Sequence, residues 1–412
     1  MSLRVRLLLG VLAAGLLLTS APAQAATSGL EGIPHFDHVV VLWEENENAE
    51  VTFAGDSPFT YLTKTLRSKG VFTPNYYGTG HVSLDNYIAF GSGQQGNPLT
   101  YTDCLSVNLY LCVQSTQAFS QGRNLADQLE EKGVSWKQYS DGAPTSCFHG
   151  DYSPTYPGPD PYQGDSQTPP AKDYADRHVP WLYFDNIIGN QKRCDAHVRP
   201  FTDVKTDLAS NALPAFSFIT PDTCHDGHDA TCSNGQPGGL KGANTWLATH
   251  GPALVSWLAK NNGLLVVTFD ENGFTSTDGQ PGCAQAQCPS LGAGGRVGAV
   301  FVSPRLPQGA TVNTAYDHYG LLRMVEDSFG ISEHLNLADR AAPMADVFAG
   351  IKPAAAVRPG KPVAPSKPTA PKPTGNSLPV TGAPVLLLLL GAACVGAAVT
   401  LRRRSRAQSR VG

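Results

Sequence analysis

Four short runs of apolar residues constrain what this chain can fold into. They occupy residues 38–43 (HVVVLW), 215–219 (AFSFI), 264–269 (LLVVTF) and 297–302 (VGAVFV). A strand with one wet face alternates polar and apolar side chains, whereas a continuous run suits a strand covered on both faces. Helical patterns lie between the runs. Leu125 and Leu129 share a face within 123–132, and Leu254 and Leu258 share one within 253–261, closed by Asn261-Asn262-Gly263. Leu321, Leu322, Val325 and Phe329 form a stripe that Gly330 ends. Strands alternating with helices predict an α/β fold, a mainly parallel sheet sandwiched by helices. Gly/Pro/Tyr-rich stretches such as 141–172 read as insertions on that frame, and no internal repeat is visible.

Ligand sites in open α/β sheets form beyond the carboxyl ends of strands. The first run leads into Glu44-Glu45-Asn46. The second leads into Thr220-Pro221-Asp222 and then Cys224-His225-Asp226-Gly227-His228-Asp229, and the third into Asp270-Glu271-Asn272. The fourth ends in Ser303-Pro304 and offers nothing comparable. Each carboxylate taken singly reads as a solvated loop charge. If the strands are neighbours, however, the carboxylates converge, and their repulsion calls for a cation. Oxygen donors of this kind suit Mg²⁺, Ca²⁺ or Mn²⁺, and histidine also admits Zn²⁺.

A nucleophile is available in Gly78-Thr79-Gly80-His81-Val82-Ser83-Leu84-Asp85-Asn86-Tyr87. Ser83 is placed to cap a helix beginning at Leu84, where backbone N–H groups and the positive helix end favour phosphate. A nearby cation lowers the pKa of such a hydroxyl. An ordinary N-cap serine is the competing reading; His81 and Asn86 on either side favour the functional one. Other hydrolase templates fail. The chain has no G-x-S-x-G elbow, no H-E-x-x-H, no Walker loop and no G-x-G-x-x-G after a strand.

Charge narrows the function further. All 34 acidic residues lie within 26–351, against 18 of the 30 Lys and Arg, a net −16 for that body. A sequence-independent nucleic-acid binder needs clustered Lys and Arg, so that class is excluded. The basic residues collect at the ends. Arg4 and Arg6, an apolar stretch over 7–18 and Ala23-Gln24-Ala25 read as a signal peptide over 1–25. Residues 353–377, rich in Pro, Ala and Lys, read as an extended spacer. Leu378-Pro379-Val380-Thr381-Gly382, a charge-free run over 383–401 and Arg402-Arg403-Arg404-Ser405-Arg406 follow. This order resembles the LPxTG sorting signal of Gram-positive sortase substrates. The resemblance implies membrane-spanning by the 383–401 tail, then sortase cleavage after Thr381 and transfer to peptidoglycan. It predicts a secreted, wall-anchored protein that meets the membrane only transiently. Nine cysteines fit export. With Cys394 in the tail, spacing pairs Cys104 with Cys112, Cys224 with Cys232 and Cys283 with Cys288, and leaves Cys147 with Cys194.

Residues 39–46 (VVVLWEEN), the Ser83 segment and Phe90-Gly91-Ser92-Gly93 resemble the phosphoesterase family of bacterial acid phosphatases and phospholipases C, of the alkaline-phosphatase-like superfamily. The likeness continues through 124–139, 178–185, 207–229, 264–272 and 317–330. It implies an alkaline-phosphatase-like fold over 26–352 with Glu45, Asn46, Ser83, Asp270 and Glu271 around a divalent metal. It also implies Ser83 as nucleophile, and His81, Asn86, His228 and His318 near the phosphate, with His225 and His178 as further positions. The sequence departs from the family at Val82 and Asp85, where Pro is usual, and at Glu47-Asn48, where a Ser and an aromatic are usual. The function expected is an acid phosphatase cleaving phosphate monoesters through a phosphoserine. A phospholipase C or other phosphodiesterase on the same site is the first alternative, and a non-catalytic surface binder the second.

Overall fold

The computed structural model describes residues 29–97, 100, 103, 123–148, 173–273 and 294–354. The chain divides into two units, Met1–Ala356 and Val357–Gly412, and every described residue lies in the first. Its strands are β1 (His38–Glu44), β2 (Gly70–Thr73), β3 (Tyr76–Tyr77), β4 (Trp136–Ser140) and β5 (Val198–Pro200), then β6 (Phe216–Thr220), β7 (Gly263–Phe269), β8 (Ala299–Val302), β9 (Ala310–Thr311) and β10 (Tyr316–Asp317). Eight of them form one sheet in the order β5-β4-β6-β1-β7-β8-β2-β9, and β10 pairs with β3. The main helices are α1 (Ser83–Ser92), α2 (Leu125–Glu131), α3 (Thr202–Ala209), α4 (Gly239–Lys260) and α5 (His318–Ser328).

The unbroken apolar runs became the centre of this sheet, as expected of strands covered on both sides. β1 lies between β6 and β7, parallel to both, with Val39 opposite Phe216 and Leu264. Side-chain alternation assigns the two coverings. Trp43 and Phe218 point to one face, where they meet Tyr87 and Phe90 of α1 and, through Trp43, His318 of α5. Leu42 and Ile219, one residue earlier or later, point to the other face, under α3 and α4. The expected helix-sandwiched, mainly parallel α/β sheet is therefore what forms.

The fourth run behaves differently for a topological reason. β8 is antiparallel to β7, so its carboxyl end lies at the opposite rim from those of β6, β1 and β7. Ser303-Pro304 is thus remote from the strand ends that carry acids.

Two elements exceed the sequence expectation. The helix anticipated over 253–261 is the last part of the 22-residue α4, which runs through Pro252. Glycine and proline in 239–252 hide it from propensity, but Leu240, Ala243, Leu247, Leu254 and Leu258 form a buried stripe at helical spacing. β4 escapes notice because Gln138 and Ser140 are polar. Both are buried, and Gln138 Nε2 donates to Ser140 Oγ at 3.1 Å and Thr220 Oγ1 at 3.0 Å.

Disulfides join Cys147 to Cys194 and Cys224 to Cys232. Cys104, Cys112, Cys283 and Cys288 lie outside the described residues. So do the signal peptide, all but the first two residues of the spacer, the Leu378-Pro379-Val380-Thr381-Gly382 motif and the 383–401 tail. The transmembrane expectation, and the membrane-to-wall localisation built on it, are corrected: among the described residues no helix is long and apolar enough to cross a membrane. The longest, α4, carries Lys241, His250 and Lys260 and is amphipathic.

The Cys147–Cys194 bridge closes a loop 47 residues long. Replacing both cysteines with serine should lower unfolding free energy by about 2–5 kcal/mol. Denaturant melts of the two proteins check this; coincident curves would show that the bridge contributes nothing.

Candidate active site

Side by side, β6, β1 and β7 deliver their trailing residues to one place. Glu44 pairs with Phe269 in register, so Glu45 and Asp270 emerge as neighbours. The Glu45 backbone N–H donates to the Asp226 carbonyl at 2.8 Å, which ties the loop after β6 to the end of β1. Asn46 has φ of +46°, a left-handed conformation that asparagine tolerates better than most residues. Its backbone N–H donates to Asp270 Oδ1 at 3.1 Å, and the Glu271 N–H donates to the same oxygen at 2.6 Å.

Ser83 opens α1. It is the first helical residue, with Val82 before it, rather than the cap expected with a helix starting at Leu84. The capping bond comes from elsewhere, since the Leu84 N–H donates to Asp103 Oδ1 at 2.8 Å. The Ser83 hydroxyl is thereby left for the acids and donates to Glu45 Oε2 at 3.0 Å. The structure thus brings Glu45, Asn46, Ser83, Asp270 and Glu271 together, and all but Asn46 are nearly or fully buried.

The electrostatics of the cluster are adverse without a cation. Burial raises the pKa of Glu45, and the negative charges of Asp270 and Asp226 raise it further. Burial pushes Asp270 up to about 6, opposed by the hydrogen bonds it accepts. Glu271 is raised by burial and then by Asp270. Three cluster oxygens, Asn46 Oδ1, Asp270 Oδ2 and Glu271 Oε1, are buried without a hydrogen bond. Such orphans are costly unless something coordinates them. A hard oxygen donor set with spare lone pairs fits a divalent cation.

A second group adjoins the first through Glu45. Ligand atoms of Glu45, His178 and Asp226 all lie within 4.8 Å of one another. His178 Nε2 is 3.3 Å from Glu45 Oε2 and its Nδ1 is 3.4 Å from Asp226 Oδ2, with neither nitrogen hydrogen-bonded. Burial, then the charge of Arg177, lowers the His178 pKa, so the ring is a neutral donor to metal. The side chains at this end of the sheet are therefore positioned to chelate a divalent cation. Two other acid–histidine groups are less suited. Cys224 beside Asp222 and His225 is locked in a disulfide, and Glu31 beside Asp327 and His334 is clamped by Arg323.

The residues expected near phosphate divide into two kinds. His81 and His228 remain partly exposed, with side chains 20% and 24% accessible. His81 Nδ1 is 3.5 Å from Glu271 Oε1. His228 Nδ1 donates to Asp229 Oδ1 at 2.8 Å, and Arg177 Nη2 donates toward Nε2 at 3.3 Å. Because guanidinium can only donate, Nε2 of His228 is the accepting atom in that contact. Asn86 and His318, by contrast, are buried and hydrogen-bonded within the protein. Asn86 Oδ1 accepts from Thr79 and Gly80, and its amide donates to Glu271 Oε2 at 3.1 Å. The His318 ring bonds Tyr76 Oη at 3.1 Å and the Asp270 carbonyl at 2.6 Å, and burial lowers its pKa to about 3. Both residues position the acids. His225 bonds Asp222 and lies outside the cluster.

The sequence profile of the phosphoesterase family matches residues 53–332. The chain belongs to that family. A probable acid phosphatase of Kluyveromyces lactis is 27% identical over 326 residues, covering 78% of this chain and 64% of the relative. A phosphatidylinositol-3-phosphatase of Mycobacterium tuberculosis is 25% identical over 352 residues, covering 84% and 94%. This chain spans less than two thirds of the Kluyveromyces lactis relative and 57% of an Aspergillus fumigatus acid phosphatase. Among solved structures, an alkaline phosphatase superfamily protein from Vibrio parahaemolyticus is similar at 13% identity and TM-score 0.46, covering 73% of this chain and 68% of that one.

Three participants in this phosphoesterase site went unassigned from sequence. Asp226 sits in the acidic stretch after β6, where only its two-residue spacing before His228 set it apart. Tyr87 donates to Glu45 Oε1 and stacks on His178 at 5.2 Å. Its place one turn after Ser83 was a usable signal. Arg177 had none, because it reaches His228 only through tertiary folding.

Three outcomes follow from this geometry. Asp270 and Asp317 hold protons to about pH 6 in the fold, and Glu326 to about pH 8; unfolded, they lose them near pH 4. The metal-free fold therefore binds more protons than the unfolded chain, and its stability should decline as pH rises from about 4 to about 8. Added Mn²⁺ should raise Tm more at pH 7 than at pH 5. Calorimetric scans check both, and a pH-independent Mn²⁺ shift would refute the carboxylate cage. Asn86→Ala should weaken Mn²⁺ binding roughly 10–100-fold, as read by titration calorimetry.

Proposed function

We propose that the chain is a metal-dependent phosphoesterase that hydrolyses phosphate monoesters through a phosphoserine on Ser83. The observation that carries this reading is the Ser83 hydroxyl donating to a carboxylate inside a buried acidic cage. Family membership supports cleavage of phosphoric esters. The relatives from Kluyveromyces lactis, Aspergillus fumigatus and Mycobacterium tuberculosis are named as phosphatases, which favours monoesters over diesters.

A divalent cation held by Asn46, Asp270 and Glu271 together with Glu45 and Ser83 would supply positive charge for the phosphoryl oxygens and acidify the hydroxyl. The remaining steps belong to the chain. Glu45 Oε2 takes the hydroxyl proton as Ser83 Oγ attacks phosphorus. The bond from phosphorus to the ester oxygen breaks, and that oxygen takes a proton from the His81 imidazolium at the exposed edge. The neutral imidazole then accepts a proton from water attacking the phosphoserine. Phosphate leaves, and Glu45 returns its proton to Ser83. Burial lowers the His81 pKa, opposed by a hydrogen bond with Asn272. If His81 is the donor, turnover falls as the solution becomes alkaline, which suits an acid phosphatase.

Purified chain should cleave p-nitrophenyl phosphate and lose that activity to EDTA. Ser83→Ala should lower turnover by roughly 1,000-fold or more. Undiminished turnover in the serine variant would remove the nucleophile. Phosphocholine release from phosphatidylcholine outpacing monoester cleavage would move the assignment to a phospholipase C.

A further inference from the structure

Arg177 lies in a single 3-10 turn, Asp176–His178, directly ahead of the ring that stands between Glu45 and Asp226. Its side chain is only 5% accessible. A guanidinium keeps its charge throughout the working pH range, so burying it is costly unless acceptors and negative groups surround it. Nη2 donates toward His228 Nε2 at 3.3 Å, and His228 Nδ1 is fixed in turn against Asp229 Oδ1 at 2.8 Å. Nε faces Asp103 Oδ2 at 3.9 Å, beyond hydrogen-bond reach. Burial raises the Asp226 pKa, and the Arg177 charge is among the influences that oppose this rise.

Two chains of contact place this guanidinium near the nucleophile. One runs through Asp103, whose Oδ1 accepts from the Leu84 N–H at 2.8 Å, in the first turn of the helix that Ser83 opens. The other runs through the next residue in sequence. His178 Nε2 is 3.3 Å from Glu45 Oε2, the oxygen to which the Ser83 hydroxyl donates at 3.0 Å. β6 and β7 flank β1, so the loop carrying Asp226 and His228 approaches Glu45 from one side, and Asp270 and Glu271 approach it from the other. Arg177 belongs to the β6 side through its bond to His228.

A phosphoryl group on Ser83 spreads its negative charge over three oxygens. A cation held by Asn46, Asp270 and Glu271 compensates that charge from the β7 side, and the Leu84 N–H at the helix start is already bonded to Asp103. We infer that Arg177 binds the phosphoryl oxygens from the β6 side, with His228 and Asp229 holding its guanidinium in place. This rests on the phosphoserine reading given above. A guanidinium offers paired N–H groups that match two phosphate oxygens, where an ammonium offers a point charge. The site so completed favours a dianionic phosphate monoester over a diester, which lacks one of the charged oxygens.

Calorimetric titration of the Mn²⁺-loaded full chain with inorganic phosphate tests it. Arg177→Met should weaken phosphate binding roughly 10–100-fold, the loss expected for a charged hydrogen-bonding partner. Arg177→Lys, which keeps the charge without the planar fork, should fall between that variant and the parent, and it keeps the comparison available if Arg177→Met fails to fold. Mn²⁺ affinity of both variants, titrated separately without phosphate, should stay close to the parent's, which general damage to the site would not permit. Parent-like phosphate affinity in either variant, a fall in phosphate affinity that only tracks a fall in Mn²⁺ affinity, or a parent that binds no phosphate overturns the inference. The two readings fail separately. Phosphate held through Arg177 by a chain whose p-nitrophenyl phosphate turnover survives Ser83→Ala overturns only the nucleophile. Turnover that needs Ser83 but loses nothing in Arg177→Met overturns only the role given to the arginine.

Discussion

Repulsion among buried carboxylates governs the catalytic end of this molecule. Parallel pairing of β6, β1 and β7 forces Asp226, Glu45 and Asp270 toward one another, and folding removes the water that would otherwise separate their charges. Like charges in such a place persist only if protons or a cation compensate them. The apolar strands provide the burial, and their parallel arrangement makes it converge.

The side chains around the cluster hold it open as much as they hold it together. Asn86 and Tyr87 of α1 reach the carboxylates of Glu271 and Glu45, and His318 of α5, itself bonded to Tyr76, reaches the Asp270 carbonyl. Their own hydrogen bonds are spent on this. The Ser83 hydroxyl is bonded to Glu45, and the His81 and His228 imidazoles stay partly exposed at the edge. This division is typical of sites in which outer residues fix the orientation of those that do chemistry.

Much of this was legible in the amino-acid order. Unbroken runs such as LLVVTF identify strands buried on both faces, and the acids that follow them identify the rim where a site forms. Ser83 was legible because a hydroxyl, a histidine and an asparagine share one short segment. Other features depend on distance in three dimensions. Whether His318 faces substrate or the Asp270 carbonyl is decided by packing against Trp43 and Tyr76, which no local pattern encodes. The spacing of His178 says nothing of its position between Glu45 and Asp226. α4 was underestimated because Gly and Pro weaken local propensity while its buried stripe, a tertiary property, maintains the helix. A charge-free terminal run is read from composition alone, and the described helices give it no counterpart.

The Cys224–Cys232 bridge lies across the loop that carries Asp226 and His228. The loop is therefore held twice, by that covalent fastening and by the hydrogen bond from the Glu45 N–H to the Asp226 carbonyl. The geometry of the acidic rim thus draws on a covalent bond as well as on the sheet beneath it.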